Sequence, residues 1–323
     1  MDPAKKWKTS LSLIGILLFF YILSQIDLET LGRHLAQVNL PIVGVTVLLT
    51  LPQIYLKALR LKSLLATQKV AYPSSKAFIS YMSSIFWGIV TPGRVGEVAR
   101  VVYLVRDTGV SYGKSILSVF IDRCFDIYVL LLVGYGAIWH FSVLNLRQWQ
   151  YGLIFFLCLV LPFLVGALTP ALNYVARRLK EKFAGSDGVS SAQSQDILAN
   201  LNQLKISRMA IPLILTLVSY LLLFSQCRML AMAMDLPVST VEISLIVGAS
   251  NLISLIPITL FGIGTRDAAL IFFFGIAGLT QEMAVGYSLL IFINFYLITG
   301  IICFVGWFFH TGHLTFKQIK DYA

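Results

Sequence analysis

The chain has 323 residues, of which 58% are hydrophobic and only 12% charged, with a formal net charge of +10. At a mean hydropathy of +0.82 there is too little polar surface for a soluble globule, and the composition reads as a polytopic membrane protein. The positive charge calls for no nucleic acid, because the basic residues cluster beside apolar runs, where they set orientation and meet anionic headgroups.

In chain order, Lys5, Lys6 and Lys8 precede an apolar run that lacks a small-residue cleavage pattern, so it is expected to stay as an uncleaved first span. A span needs roughly 20 apolar residues, and six stretches qualify: 9–26, 40–56, 115–139, 149–172, 209–234 and 284–309. Between the second and third, runs 78–90 and 95–105 are split by Thr91-Pro92-Gly93-Arg94-Val95-Gly96-Glu97. Between the fifth and sixth, runs 243–258 and 268–276 are split by Phe261-Gly262-Ile263-Gly264-Thr265-Arg266-Asp267. Such short runs favour re-entrant helical hairpins over full crossings. The expected fold is therefore an all-α polytopic membrane protein with about six full transmembrane helices plus two re-entrant hairpins; eight full spans are the alternative.

Lysine and arginine mark cytoplasmic connections. Lys57, Arg60, Lys62, Lys69 and Lys76 gather in one connection, and Arg177, Arg178, Lys180, Lys182, Lys205 and Arg208 in another, whereas the opposite loops hold Arg33 and Arg147. Both termini are thus expected in the cytoplasm, as is the loop 173–207. Residues 1–145 and 146–323 then form halves of opposite polarity within one integral membrane domain, an inverted repeat. An offset of 168 pairs Gly96 with Gly264, Asp126 with Asn294 and Tyr128 with Tyr296.

Ionised side chains within spans are costly and mark pathways or partners. The candidates are Arg94, Glu97, Arg100, Asp122, Arg123, Asp126, Arg228, Arg266 and Asp267. A turn at Pro92-Gly93 would leave the free N–H groups of a half-helix beside Arg94, a seat for phosphate, which Gly262, Gly264 and Arg266 repeat. Alternatively, the glycines only permit tight turns and the ion pairs only stabilise them. Glu97 and Arg100 are spaced to pair on one helical face, and Asp122 and Asp126 share another. Three roles stay open for that acidic pair: holding a metal and a diphosphate, as in intramembrane prenyl transferases; relaying charge or meeting a headgroup, together with Arg123; or anchoring through ion pairs. The first needs a second acidic cluster, and the matching place offers only Asn294.

Arg228 is expected to snorkel toward an interface, and Trp7, Trp139, Trp149 and Trp307 to sit at the headgroup layer. Cys124, Cys158, Cys227 and Cys303 show no ligand spacing, and His310 and His313 have no further ligand nearby in sequence. No nucleotide-binding loop, nucleophile elbow or zinc-protease helix is present. No cofactor and no metal is expected.

The stretch Pro92-Gly93-Arg94-Val95-Gly96-Glu97-Val98-Ala99-Arg100, followed by Asp122-Arg123-Cys124-Phe125-Asp126, resembles the transmembrane region of lysylphosphatidylglycerol synthase and its stand-alone relatives. Gly262-Ile263-Gly264-Thr265-Arg266-Asp267 resembles that family's second motif, with Phe261, Thr265 and Asp267 departing from the usual Gly-Gly-Leu-Gly-Val-Arg-Glu form. The resemblance implies a multi-pass protein of the bacterial inner membrane that moves or presents lipids between leaflets, here a member without the aminoacyl-transferase domain. The expected activity is that of a lipid translocase, flippase or scramblase-like, for a phosphate-containing lipid such as a phospholipid, an aminoacyl-phospholipid or a polyprenyl-linked intermediate. Gly93, Arg94, Gly96, Glu97, Arg100, Gly262, Gly264, Arg266 and Asp267 are expected to bind it. Membrane lipids are the expected partners, with envelope or lipid-synthesis enzymes as further candidates. A glycosyl- or prenyl-transferase, a small-anion transporter and a non-transporting scaffold are the rival readings.

Overall fold

The computed structural model describes residues 27–91, 96–143, 147, 150–153, 209–255 and 264–311. The expected first span, nearly all of the fourth, the loop 173–207, and Pro92, Gly93, Arg94, Cys158, Gly262 and His313 lie outside them. The described residues are helical, with no strand among them.

Among the described residues, these helices run in chain order: α1 Leu28–Ala36, α2 Leu40–Thr67, α3 Ser74–Val90, α4 Ala99–Thr108, α5 Tyr112–His140, α6 Ala210–Ala233, α7 Thr240–Ser254, α8 Thr265–Ile276, α9 Gln281–Phe292 and α10 Thr299–Thr311. A π-helical turn, Ile293–Ile298, joins α9 to α10, so residues 281–311 form one long interrupted rod. Among the described residues, three helical stretches are long and apolar enough to cross a membrane: Leu40–Thr67, Ala210–Ala233 and Gln281–Phe308. Helix α5 has the length, 29 residues, but Lys114, Asp122, Arg123 and Asp126 dilute its apolar character. By contrast α4, with 10 residues, and α8, with 12, reach only about 15 and 18 Å at 1.5 Å per residue, well short of the hydrocarbon core.

Local chemistry sets several helix starts. Asn39 accepts a hydrogen bond from the Ile42 N–H at the head of α2, and Ser239 and Glu242 form a reciprocal capping box at α7. Gly264, at φ +92°, begins α8 by accepting a backbone conformation that side-chain-bearing residues resist.

The order of elements occurs twice. A long helix, a pair of short helices, and another long helix appear as α2, α3, α4, α5 and again as α6, α7, α8 and α9–α10. The packing repeats in step. Helix α2 packs along its counterpart α6, while α3 packs on α10 as α7 packs on α5. Each half thus lends its long final helix to the short helix of the other. Glycines make the α5–α7 contact close: a Cβ on Gly248 would run into Val133, and one on Gly134 into Leu252.

One boundary differs from the sequence expectation. The second span, expected to end at residue 56, continues unbroken to Thr67, so Lys57, Arg60 and Lys62 lie on a helix and not in a connecting loop. Ile54, Ala58, Leu61 and Leu65 carry the buried face of α2 past these charges at helical spacing. Arg60 is completely buried.

Candidate functional site

Arg60 is the hub of a polar cluster built from five helices. From α2 its Nε donates to Asp122 Oδ1 at 2.6 Å, while Nη1 and Nη2 donate to the two Asp126 oxygens at 2.9 and 3.0 Å. Nη1 also reaches the Thr216 hydroxyl on α6 at 3.2 Å. The four-residue spacing of the two aspartates places both on one face of α5, where one planar guanidinium can bridge them. Arg100, on α4, donates to Asp122 Oδ2 at 2.7 Å, the Tyr81 hydroxyl donates to the same oxygen at 3.2 Å, and the Arg100 guanidinium lies 4.6 Å from the Tyr81 ring centre. Both oxygens of Asp122 are therefore taken.

The other members are looser and more open. Arg123 pairs with Glu97, and its Nη1 lies 3.8 Å from Asp126 Oδ2. Lys57 Nζ lies 3.6 Å from Asp126 Oδ1 and 5.4 Å from the Tyr220 ring centre. Glu97 and Arg100 meet at 3.5 Å, so the i,i+3 pairing expected from sequence forms, although Arg123 is the nearer partner of Glu97. The side chains of Lys57 and Arg123 are 21% and 32% exposed, against 0% for Arg60 and Arg100. That contrast divides the cations into two that lock the fold and two that face open space.

The open space is a cavity of about 430 Å³ between the two sets of helices. Lys57, Glu97, Arg100, Arg123 and Tyr81 line one end; Leu223, Val247, Leu255, Ile291 and Phe295 line the rest, with Thr50, Gln53, Asn251 and Thr299 interspersed. Its size lies in the range of small-molecule sites, roughly 300–1,000 Å³. Gly88 and Gly96 let the first bend close against it: a Cβ on Gly88 would strike the Glu97 side chain, and one on Gly96 would strike the Trp87 carbonyl. The Thr91 hydroxyl accepts a hydrogen bond from the Gly96 N–H at 2.7 Å, tying the two ends of that bend together.

The second motif builds a separate and smaller group. Arg266 Nη2 donates to Asp267 Oδ1 at 2.9 Å and to the Ser288 hydroxyl at 3.2 Å, and Ser288 donates to Asp267. Asp267 Oδ2 accepts from the Gly264 N–H at 2.9 Å, while Arg266 Nη1, buried, has no hydrogen-bond partner. The guanidinium lies 5.1 Å from the centre of the Tyr296 ring, and Tyr296 lines the cavity. Arg266 is thus one aromatic ring away from the chamber, and no ion pair joins it to the first cluster among the described residues.

Where the offset of 168 pairs Asp126 with Asn294, the structure holds a neutral cluster. Asn294 Nδ2 donates to Thr46 Oγ1 at 2.7 Å, and Gln226 Nε2 donates to the Thr46 carbonyl at 2.8 Å and to Thr50 Oγ1 at 3.2 Å. Thr46 and Thr50 spend their own protons on carbonyls one turn back, so their oxygens must accept from the amides. The π turn carries Asn294 and Tyr296 inward, with Thr299 Oγ1 donating to the Asn294 carbonyl at 2.8 Å. Such π turns frequently sit at functional sites.

The structure therefore brings together Gly96, Glu97, Arg100, Asp122, Arg123 and Asp126 from the sequence candidates. It keeps Gly264, Arg266 and Asp267 apart from them, and adds Lys57, Arg60, Tyr81, Thr216 and Tyr220, which sequence reasoning passed over. The missed signal was the apolar face of α2 continuing beyond Lys57. Arg228 turns back to donate to the Val238 carbonyl. Trp307 donates to the Tyr103 hydroxyl at 2.9 Å and stacks on Phe86, so it packs against α3 and α4. Among the described residues, no group of three or more His, Cys, Asp and Glu is placed to hold a metal ion.

Residues 9–303 match the family described as the lysylphosphatidylglycerol synthase TM region. The chain belongs to that family. No curated protein matches it. Membership, together with the apolar helices, makes it a multi-pass membrane protein of a lipid-related family.

Proposed function

We propose that the protein is a translocase of the bacterial inner membrane that moves a phosphate-containing lipid between leaflets. The observation that carries this reading is the cavity between the two helix sets, where Lys57 and Arg123 present partly exposed cations at one end and apolar side chains are mixed with Thr50, Gln53, Asn251 and Thr299 elsewhere. A phosphate headgroup is a chemical match for Lys and Arg side chains at the edge of a satisfied ion-pair cluster. The apolar part of the remainder, Leu223, Val247, Leu255, Ile291 and Phe295, suits the glycerol region and chain roots.

In this reading the two halves have inverted topology, residues 1–145 against 146–323, with both termini cytoplasmic. The pairs α3–α4 and α7–α8 are re-entrant hairpins whose bends face opposite sides. The doubled element order and the reciprocal packing of α3 on α10 and α7 on α5 support that arrangement. Alternating exposure of the chamber would follow from rocking one half against the other along α2 and α6. The halves are chemically unequal. The charged cluster of Arg60, Asp122 and Asp126 has a neutral counterpart in Gln226, Asn294 and Thr46, so headgroup affinity would favour one side. Because Arg60, Arg100 and Tyr81 occupy both Asp122 oxygens, the acidic pair works here as an anchor for the cationic wall.

The test is translocation of headgroup-labelled lipids in proteoliposomes, comparing wild type with Lys57→Gln, Arg123→Gln, Arg94→Ala and Arg266→Ala over anionic, aminoacylated and polyprenyl-phosphate lipids. Transport of one class that Lys57→Gln and Arg123→Gln abolish supports the reading. Folded protein that moves no lipid refutes it, and metal-dependent group transfer would favour the transferase alternative.

A further inference from the structure

Beside the chamber lies a second, separate recess of about 300 Å³ between α3 and the α9–α10 rod. It is lined by Phe86 and Ile89 from one side and Phe292, Leu297, Ile301 and Phe304 from the other, with Gly300 at its floor and Tyr296 at its inner end. Apart from the Tyr296 hydroxyl it offers no polar side chain. Ile89 and Tyr296 line both this recess and the cationic chamber, so the two spaces share a wall and adjoin. Leu297, Ile301 and Phe304 are among the exposed large apolar residues, which opens the recess sideways toward the surrounding hydrocarbon.

We infer that this recess is the tail site of the transported lipid: one acyl or isoprenoid chain lies between α3 and α10 while its headgroup occupies the chamber. The inference rests on the proposed translocase activity and deepens it by assigning a lateral route. The occupant follows from adjacency. A polar compartment and an apolar one that meet at Ile89 and Tyr296 fit an amphiphile whose two ends differ as the compartments do, and a soluble anion would leave the second unused. Gly300 keeps the recess open. A methyl added there would only touch Ile89, at 3.6 and 3.9 Å, so alanine fits and a larger side chain must enter the groove.

A phosphatidylglycerol carrying a photoactivatable diazirine midway along one acyl chain is the probe, in vesicles of phosphatidylcholine containing the full-length protein. After illumination, peptides of α3 and α10 should be labelled several times more than the outward face of α6 around Ile214 and Leu221, which is also exposed but borders neither space. Excess unlabelled phosphatidylglycerol and the Lys57→Gln/Arg123→Gln variant should both erase that preference. Gly300→Phe should slow translocation about tenfold, the loss of roughly two buried methylenes of tail contact, whereas Ile214→Phe, on an exposed face of α6 that borders neither space, should translocate like wild type. Ile301→Trp serves as the second filling variant if Gly300→Phe fails to fold. Equal labelling of α3, α10 and α6 would mean that bulk lipid fills the groove and would overturn the inference, as would unchanged transport in a folded filling variant. If wild type moves no lipid yet binds soluble glycerol phosphate, the translocase reading fails, and preferential tail labelling still decides the groove separately.

Discussion

Replacing Arg60 with methionine should be among the most damaging single changes in this protein. The side chain is fully buried and donates four hydrogen bonds, three of them to the carboxylates of Asp122 and Asp126. Methionine keeps the length and apolar stem but removes the cation that bridges the two acids. Asp122 keeps Arg100, while Asp126 is left with Lys57 at 3.6 Å and Arg123 at 3.8 Å. Removing one partner of a buried pair costs about 3–5 kcal/mol, because the other charge stays buried without compensation. The residual contacts from Lys57 and Arg123 favour the lower end, near 3 kcal/mol, which is about a 150-fold change in the unfolding constant. Adding Asp126→Asn removes one uncompensated charge, so the double variant should be less destabilised than the sum of the single ones by roughly 1–3 kcal/mol. Equilibrium unfolding in mixed micelles with increasing SDS, followed by tryptophan fluorescence, measures all four corners of the cycle. A cost for Arg60→Met below about 1 kcal/mol, the level of an exposed ion pair, or an additive cycle would refute the view of Arg60 as the hub.

Gly96→Ala places a methyl against the Trp87 carbonyl and should destabilise the protein by about 2 kcal/mol or more through backbone displacement. Gly44→Ala, in α2 with nothing within 4 Å, should stabilise it by about 0.5–1 kcal/mol; thermal unfolding in detergent checks both. The Thr30 hydroxyl and the Glu29 N–H hold the Asp27 carboxylate below its ordinary value of 3.8. Its contribution to capping α1 is therefore complete above that value and is lost as pH falls through the lower folded-state value. Hydrogen exchange of residues 28–36 across acidic pH should show α1 loosening, and Asp27→Asn should remove that dependence. A cysteine at Lys57, facing the chamber, should react with a small thiol reagent in otherwise cysteine-free protein far faster than one at the buried position 60, and phosphatidylglycerol should slow the reaction.

The Gly-Arg and Arg-Asp motifs mark residues 91–100, 122–126 and 262–267 in the sequence, and six of those positions do meet in one cluster. Helix existence was equally legible, because runs such as 78–90 and 243–258 are uncharged and mostly apolar, with a proline close to the end of each. The charge-cluster residues on α2 were not, since Lys57, Arg60 and Lys62 carry the same signature as a basic cytoplasmic loop. Charge counting alone has no term for a buried partner 62 residues away.

By itself, then, the sequence determined that this is an apolar, all-helical membrane protein with two polar bends in matching places, because hydrophobic content and Gly/Pro interruption are local properties. The tertiary structure decided which charges neutralise one another, that Asp126 meets Arg60 while its repeat-mate Asn294 meets Thr46, and that a cationic chamber opens beside an apolar groove. Those outcomes depend on which helix face turns toward which neighbour, a choice set by the packing of α2 on α6 and of α3 on α10, where contacts between residues far apart in the chain overrule the local pattern.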